Sequence, residues 1–144
     1  MRRYLVRYLT VAVIFLILDS IWLSLTHDVV YTQHLGGIMV GTFRPIQAAL
    51  FYLLYVAGVV FFVLESADSV ATAAARGFFF GLVAYGTYDL TNAATVALWS
   101  DFVTVVDMSW GAVATALASA IGFALTRHSG APAGERAAAV GRTG

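Results

Sequence analysis

Cysteine and lysine are absent from the chain, and charged residues of either sign are few. Without cysteine the chain can form no disulfide, thiolate metal site or cysteine nucleophile, so the redox compartment stays undetermined. Charged residues make up 11% of the 144 positions, whereas they make up about a quarter of soluble domains. The formal net charge is zero, and no P-loop, dinucleotide-binding or serine-hydrolase motif occurs. The sequence therefore indicates neither nucleic-acid binding nor a familiar catalytic class.

Long apolar runs take the place of the missing charges. Hydrophobic residues make up 60% of the chain, and the mean hydropathy is +0.84. Polar residues fall mainly between the apolar runs, which is the pattern of a multi-pass membrane protein. A helix needs about 20 residues to cross the hydrocarbon layer, where its backbone groups must be satisfied internally. The sequence therefore predicts an all-α integral membrane protein with four transmembrane helices, at about residues 4–25, 45–64, 77–98 and 102–125.

The remaining segments complete the predicted organisation. Residues 1–126 are expected to form one four-helix membrane domain. Residues 127–144 are small, polar and aperiodic, and we expect them to form a disordered cytoplasmic tail. The N-terminal apolar run continues past Asp19 to Leu25 without a small-residue cleavage site, so we interpret it as a retained helix and not as a signal peptide. A long loop at residues 26–44 is predicted to follow it.

Arginine placement predicts the orientation of the bundle. With four spans, both termini and the second loop share one side of the membrane, and the positive-inside rule assigns the arginine-rich side to the cytoplasm. The other side holds only Arg44. We therefore predict an antiparallel bundle with both termini inside, in the inner (cytoplasmic) membrane of a bacterium. The arginines on the predicted cytoplasmic side are Arg2, Arg3, Arg7, Arg76, Arg127, Arg136 and Arg142.

Polar residues interrupt the predicted spans at one level, in the outer half of the bilayer. An acid at the centre of a span costs about 2.5–3.5 kcal/mol, so such residues normally face a cavity, a partner or a substrate. Tyr85, Asp89 and Asn92 are spaced i, i+4, i+7 and share one helix face. These features predict an acidic, aromatic-lined pocket that opens to the outside, with Trp22, Trp99 and Trp110 at its rim. Its predicted ligand-binding residues are Asp19, Trp22, Gln47, Tyr52, Tyr85, Asp89, Asn92, Asp107 and Trp110.

Small residues predict close packing of the last two helices. Gly77 and Gly81 form a GxxxG pair on the third helix. Asp107 heads a stripe of small residues on the fourth helix, so its side chain is expected to point into the bundle and not at lipid. The stripe continues through Gly111, Thr115, Ala118 and Gly122.

Two other interpretations of the polar residues stay open. Asp89 and Asn92 could form a structural hydrogen-bond clamp, because interhelical polar contacts occur in membrane proteins and are modest in strength. His27 and His34 could join Asp19 or Asp107 in a metal site. They match no recognised ligand motif, and we favour solvated loop histidines, so no metal is predicted. Cofactors stay unknown.

Four motifs together resemble those of a family of small bacterial inner-membrane proteins, known only as predicted membrane proteins with a domain of unknown function. They are YGTYDLTNAAT, DMSWG, LDSIWL and AALFYLLYVAG, and the similarity covers roughly Tyr4 to Leu125. The resemblance implies a four-helix integral membrane protein with no established activity, so it supplies no catalytic residues. It adds Tyr88 to the predicted site. The positions that match its hallmark motifs are Asp19, Trp22, Tyr88, Asp89, Leu90, Thr91, Asn92, Asp107, Trp110 and Gly111.

Three functions are compatible with these features. Carboxylates and aromatic rings suit the binding or transport of a small polar or cationic molecule, and transport by so few helices would require a homodimer. Alternatively, paired carboxylates could act as acid and base in a membrane enzyme that acts on lipid or a lipid-linked substrate. A structural membrane subunit would use the polar cluster only to hold the bundle together. We favour binding or transport, because the sequence predicts a cavity and contains no complete catalytic set.

Overall fold

The structure, a computed structural model, describes residues 1–39 and 42–127 and contains four helices and no strand within them. The predicted disordered tail, with Arg136 and Arg142, lies outside the described residues except for Arg127. The all-helical fold predicted from the sequence is confirmed for the described part of the chain. The helices are α1, Arg2–Leu35; α2, Pro45–Leu64; α3, Val70–Thr95; and α4, Asp101–Thr126.

Local signals in the sequence explain where three of the helices begin. Pro45 occupies the first turn of α2, where a missing backbone N–H leaves no hydrogen bond unmade. Ser69 caps α3, because its hydroxyl accepts a hydrogen bond from the backbone N–H of Thr72 at 3.1 Å. Ser100 caps α4 in the same way, by accepting from the backbone N–H of Val103 at 3.4 Å.

The first helix is longer than predicted. It continues beyond Leu25 through a π-helical stretch, His27–Thr32, and ends after one further α-helical turn at Leu35. Val30 and Leu35 explain the extension, because both are buried in a small apolar cluster with Val103 of α4. The segment predicted to be a long loop is therefore helical in its first part. The second helix also ends in a π-helical stretch, at Val59–Leu64.

The four helices run up and down, with neighbours along the chain antiparallel. The most extensive contact joins α3 to α4, and the small residues predicted to pack these helices do lie between them. A Cβ at Gly77 would lie 2.5 Å from Ser119 Oγ and 2.7 Å from the carbonyl oxygen of Thr115. The core formed by all four helices is centred on Phe15 and Val59, both fully buried. Close helix packing at small residues is therefore confirmed.

An ion pair closes one end of the bundle, which we call the Arg7 end. Arg7 of α1 is buried, and its Nη1 donates to Glu65 Oε1 at 2.5 Å and to the carbonyl oxygen of Leu64 at 3.0 Å. The Arg7 guanidinium also lies 5.9 Å from the ring centroid of Phe123 on α4. The pair therefore joins the start of α1 to the ends of α2 and α4.

The outer surface is suited to lipid. Large apolar side chains are exposed on all four helices, among them Leu16, Leu54, Phe79 and Leu117. Three helices are long and apolar enough to cross a membrane: Arg2–Leu35, Pro45–Leu64 and Asp101–Thr126. The third helix in chain order, α3, is less apolar because it contains Arg76, Asp89, Asn92 and four threonines. The chain is thus a helical membrane protein surrounded by the lipid bilayer.

Candidate functional site

A cavity of about 420 Å³ lies between the four helices, on the side of Phe15 away from the Arg7 end. This volume is within the range of about 300–1,000 Å³ that is usual for ligand pockets. Six of its ten lining residues are aromatic and two are aspartates. No arginine or histidine among residues 1–39 and 42–127 contributes to the lining, so the cavity is acidic and aromatic as far as these residues form it. The lining residues are Asp19, Leu23, Tyr31, Phe51, Tyr55, Ala84, Tyr85, Tyr88, Asp107 and Trp110.

Asp19 of α1 is held at the cavity wall by hydrogen bonds from two other helices. Tyr52 of α2 donates its hydroxyl to Asp19 Oδ2. Trp110 of α4 donates its indole N–H to Asp19 Oδ1 at 3.1 Å. Each carboxylate oxygen thus accepts one bond and keeps a lone pair for a ligand. The arrangement fixes the carboxylate, and no basic side chain of the described residues forms an ion pair with it.

Asp107 of α4 is the second acid of the cavity. It accepts a hydrogen bond at Oδ1 from the hydroxyl of Tyr31, which lies in the π-helical part of α1. The Tyr31 hydroxyl in turn accepts from the indole N–H of Trp22 at 2.9 Å. Asp107 Oδ2 accepts no hydrogen bond from the described residues. This oxygen therefore has its full acceptor capacity available.

A stacked indole pair connects the two acid sites. The rings of Trp22 and Trp110 are nearly parallel, with an angle of 6° between their planes and 4.5 Å between their centroids. Trp110 donates to Asp19, and Trp22 donates to Tyr31, which in turn donates to Asp107. The stack therefore joins the hydrogen-bond donors of the two aspartates in one rigid unit. Stacked aromatic pairs contribute about 0.5–1.5 kcal/mol beyond the area they bury. The site is therefore preorganised by side chains of α1, α2 and α4.

A glycine on α4 positions the tyrosine wall of the cavity. A Cβ at Gly111 would overlap the ring of Tyr85, so only glycine lets this ring lie against α4. Tyr85 meets Tyr55 edge to face, with ring centroids 6.0 Å apart. The Tyr55 hydroxyl lies 2.6 Å from Thr115 Oγ1, and Thr115 donates to the carbonyl oxygen of Gly111 at 2.6 Å. Tyr55 therefore donates to Thr115, which fixes the position of its ring.

The structure separates the predicted site residues into two groups. Asp19, Tyr85, Tyr88, Asp107 and Trp110 line the cavity, while Trp22 and Tyr52 support it through the hydrogen bonds described above. The other three, Gln47, Asn92 and Asp89, do not line the cavity.

Gln47 and Asn92 face other surroundings. Gln47 is exposed near the start of α2. Asn92 Nδ2 donates to the carbonyl oxygen of Tyr88, within its own helix, at 2.9 Å. Trp99, expected at the rim, donates its indole N–H to Thr104 Oγ1 at 2.9 Å. Its ring packs edge to face on Tyr88, a residue of the cavity wall.

Asp89 lies behind the cavity wall, at the α3–α4 contact. Its exposed fraction is 0%, and neither carboxylate oxygen has a hydrogen-bond partner among the described residues. Tyr85 packs on Gly111 and a Cβ at Gly86 would meet Met108, so the antiparallel register places Asp89 level with Asp107. Buried polar groups without a partner are rare in folded proteins. Asp89 is therefore buried among packed helices and is not part of the accessible lining.

Five lining residues were missing from the sequence-based site: Leu23, Tyr31, Phe51, Tyr55 and Ala84. Tyr31 was missed because the helix was expected to end before it. The continued apolar spacing through Val30 and Leu35 was the available signal for a longer helix. Tyr55 lies one helical turn from Tyr52, and this spacing could have placed both on one face.

The histidines considered as metal ligands lie in the last part of α1, His27 in its π-helical stretch and His34 in its final turn. His27 Nδ1 is 3.0 Å from Asp28 Oδ1, and both side chains are exposed. His34 Nδ1 donates to the carbonyl oxygen of Val30 at 2.8 Å, and its ring packs on Phe102. Within residues 1–39 and 42–127, no group of three or more histidine, aspartate or glutamate side chains is arranged to hold a metal ion.

Comparison with known proteins places the chain in a family. No curated protein and no solved structure matches it. A family model matches residues 4–124, nearly the whole extent of the resemblance recognised from the motifs. The match leaves out only the first few residues and the C-terminal segment. The chain therefore belongs to the family described as "Predicted membrane protein (DUF2177)".

Proposed function

We propose that all four helices span the inner membrane of a bacterium, with both termini in the cytoplasm and residues 1–126 forming one membrane domain. The up-and-down order of the helices supports an even number of crossings. Arg2, Arg3 and Arg76 all lie toward the Arg7 end, as the positive-inside rule requires of a cytoplasmic face. Although α3 is the least apolar helix, its extensive packing on α4 covers much of its polar surface. The cavity then opens toward the outside.

The lack of native cysteine makes this topology testable by labelling single cysteines. We expect a membrane-impermeant maleimide to label Gly37→Cys and Leu98→Cys in intact spheroplasts, because both positions are exposed at the end of the bundle opposite Arg7. Ser66→Cys, in the connection between α2 and α3, should react only after permeabilisation. Labelling of Ser66→Cys in intact spheroplasts would contradict the orientation. Protection of Leu98→Cys would show that α3 does not cross the membrane.

We propose that the cavity binds a small organic cation, and that a homodimer would be needed to carry the cation across the membrane. The observation that supports this most directly is the lining, in which the described residues supply two aspartates and six aromatic rings but no basic side chain. Aromatic faces attract cations, by about 2 kcal/mol or more where water is excluded. Asp19 and Asp107 supply the negative charge that a cation needs to leave water. Both keep free acceptor capacity, so a protonated amine could donate hydrogen bonds to them, whereas a quaternary ammonium ion, which has no N–H, would be held by their charge and by the aromatic faces.

Binding can be tested with choline and its uncharged isostere 3,3-dimethylbutan-1-ol. We expect purified protein in lipid nanodiscs to bind choline saturably, and to bind the isostere far more weakly because only the charge differs. Asp19→Asn or Asp107→Asn should weaken choline binding by roughly 30-fold, the equivalent of about 2 kcal/mol. Equilibrium dialysis with labelled choline measures the dissociation constant.

Asp101→Asn is the matched control, because Asp101 is exposed on the same helix as Asp107 and lies outside the cavity. Its affinity should equal that of the unmodified protein. Equal binding of choline and the isostere, or equal affinities for the Asp107→Asn and Asp101→Asn variants, would contradict the proposal. In that case the acids would have a structural role only.

A further inference from the structure

A second and larger cavity adjoins the acidic one. It is a groove of about 890 Å³, open to the lipid-facing surface, and its lining is entirely apolar or aromatic. On α2 it runs from Phe51 to Phe62, a length of about 16 Å at ~1.5 Å per helical residue. This is close to half of the hydrocarbon thickness of a bilayer, ~30 Å. Tyr4 and Tyr8 of α1 line it near the Arg7 end.

The two cavities share part of their walls. Phe51 and Tyr55 line both of them. The groove and the acidic cavity are therefore adjacent at Phe51 and Tyr55, and the groove continues from there toward the Arg7 end along α1 and α2. One molecule with a polar head and an apolar chain could occupy both spaces at once.

We propose that the ligand is a single-chain cationic amphiphile, an alkylammonium whose head lies in the acidic cavity and whose chain lies in the groove. This inference rests on the proposed function and narrows its ligand class. The charge of the lining selects a net cation over a phospholipid, because no arginine or histidine in the described part of the chain lines either cavity and could pair with a phosphate. The amphiphile would enter from the bilayer, where the groove is open.

Ala57 offers a way to block the groove without disturbing the acidic cavity. Ala57 lines the groove and is exposed, so a larger side chain there extends into open space. Its neighbour Gly58 is unsuitable, since a Cβ there would lie 2.8 Å from Phe80 Cζ. Ala57→Trp should therefore fill the groove while the protein folds normally. Ala124→Trp is the matched control, because Ala124 is exposed on α4 and lines neither cavity.

The experiment is a competition assay on the protein in nanodiscs. It measures the concentration of dodecyltrimethylammonium that displaces half of the bound radiolabelled tetramethylammonium. All variants share the same lipid, so partitioning of the chain into the bilayer cancels in the comparison. We expect the half-displacement concentration of dodecyltrimethylammonium to be roughly tenfold higher for Ala57→Trp than for the unmodified protein. Its affinity for tetramethylammonium, and both affinities of Ala124→Trp, should equal those of the unmodified protein.

The outcomes separate this inference from the proposed function. If tetramethylammonium binds and Ala57→Trp leaves displacement by the long-chain probe unchanged, the groove does not hold the chain and the inference fails alone. If tetramethylammonium does not bind the unmodified protein, the proposed function and the inference both fail. A second measurement is independent of the variants: a diazirine at the chain end of the probe should crosslink to Phe61 or Phe62. Crosslinking confined to the exposed face of α4 would overturn the inference.

Discussion

Replacing Glu65 by alanine should lower the free energy of unfolding by about 3–5 kcal/mol, because it would leave the charge of Arg7 buried without a partner. The Arg7 side chain is 5% exposed and the Glu65 side chain 18%, with 2.5 Å between Arg7 Nη1 and Glu65 Oε1. An ion pair so poorly hydrated is not screened as surface pairs are. The remaining Arg7 contacts, to a backbone carbonyl and an aromatic face, do not replace a carboxylate. Thermal unfolding in detergent, followed by tryptophan fluorescence, measures the loss.

Two further variants test the cause of that loss. Arg3 also pairs with Glu65, at 3.1 Å, but its side chain is 46% exposed. Arg3→Ala should therefore cost no more than about 1 kcal/mol. Combining Glu65→Ala with Arg7→Met removes both charges of the pair and should recover most of the stability, because no unpaired charge stays buried. If the Arg3→Ala and Glu65→Ala variants unfold at the same temperature, the buried pair is not what closes this end of the bundle.

Replacing Gly81 by alanine should reduce both stability and ligand binding. A Cβ at Gly81 would overlap the carbonyl oxygen of Gly111 and lie 2.6 Å from Thr115 Oγ1. The nearest atoms include α4 backbone, so α3 and α4 would have to move apart. Such overpacking typically costs about 1–3 kcal/mol, and occasionally more. Binding should weaken too, because Thr115 holds the Tyr55 hydroxyl and Gly111 supports the Tyr85 ring, both in the cavity wall.

The control for this prediction is Gly37→Ala. No atom of the residues that the structure describes lies within 4 Å of a Cβ built at Gly37, so the same chemical change there meets none of them. Thermal unfolding and choline binding should both match those of the unmodified protein. A normal unfolding temperature for Gly81→Ala would mean that the α3–α4 contact tolerates an extra methyl group. The cavity wall would then not depend on this close approach.

Much of the fold could be predicted from the sequence, because helix formation in a membrane depends on the length of an apolar run and on local end signals. The predicted span at residues 45–64 coincides with α2, and that at 102–125 falls one residue inside each end of α4. Both agree because Pro45 and Ser100 mark where these helices begin. The family, too, could be recognised from short motifs alone.

The candidate site was predicted less completely. Spacing showed that Tyr85, Asp89 and Asn92 share one face of α3, but not how that face is turned toward α4. In the structure Tyr85 lines the cavity, Asp89 is buried behind it, and Asn92 bonds to its own helix. The predicted pocket and its ligand stay proposals to be tested by the binding experiments above.

The sequence by itself determined that this is a helical membrane protein, where α2 and α4 lie, and which end of the bundle is rich in arginine. The predicted span at 77–98 was displaced, because α3 begins at the Ser69 cap and ends at Thr95. Tertiary structure alone decided which polar residues meet. Arg7 pairs with a glutamate 58 residues away, and Tyr31 reaches an aspartate 76 residues away. Periodicity describes one helix at a time, whereas these contacts depend on the rotation and register of helices against one another. That relative placement follows from close packing at glycines and from the π-helical extension of α1, which no single segment of the sequence determines.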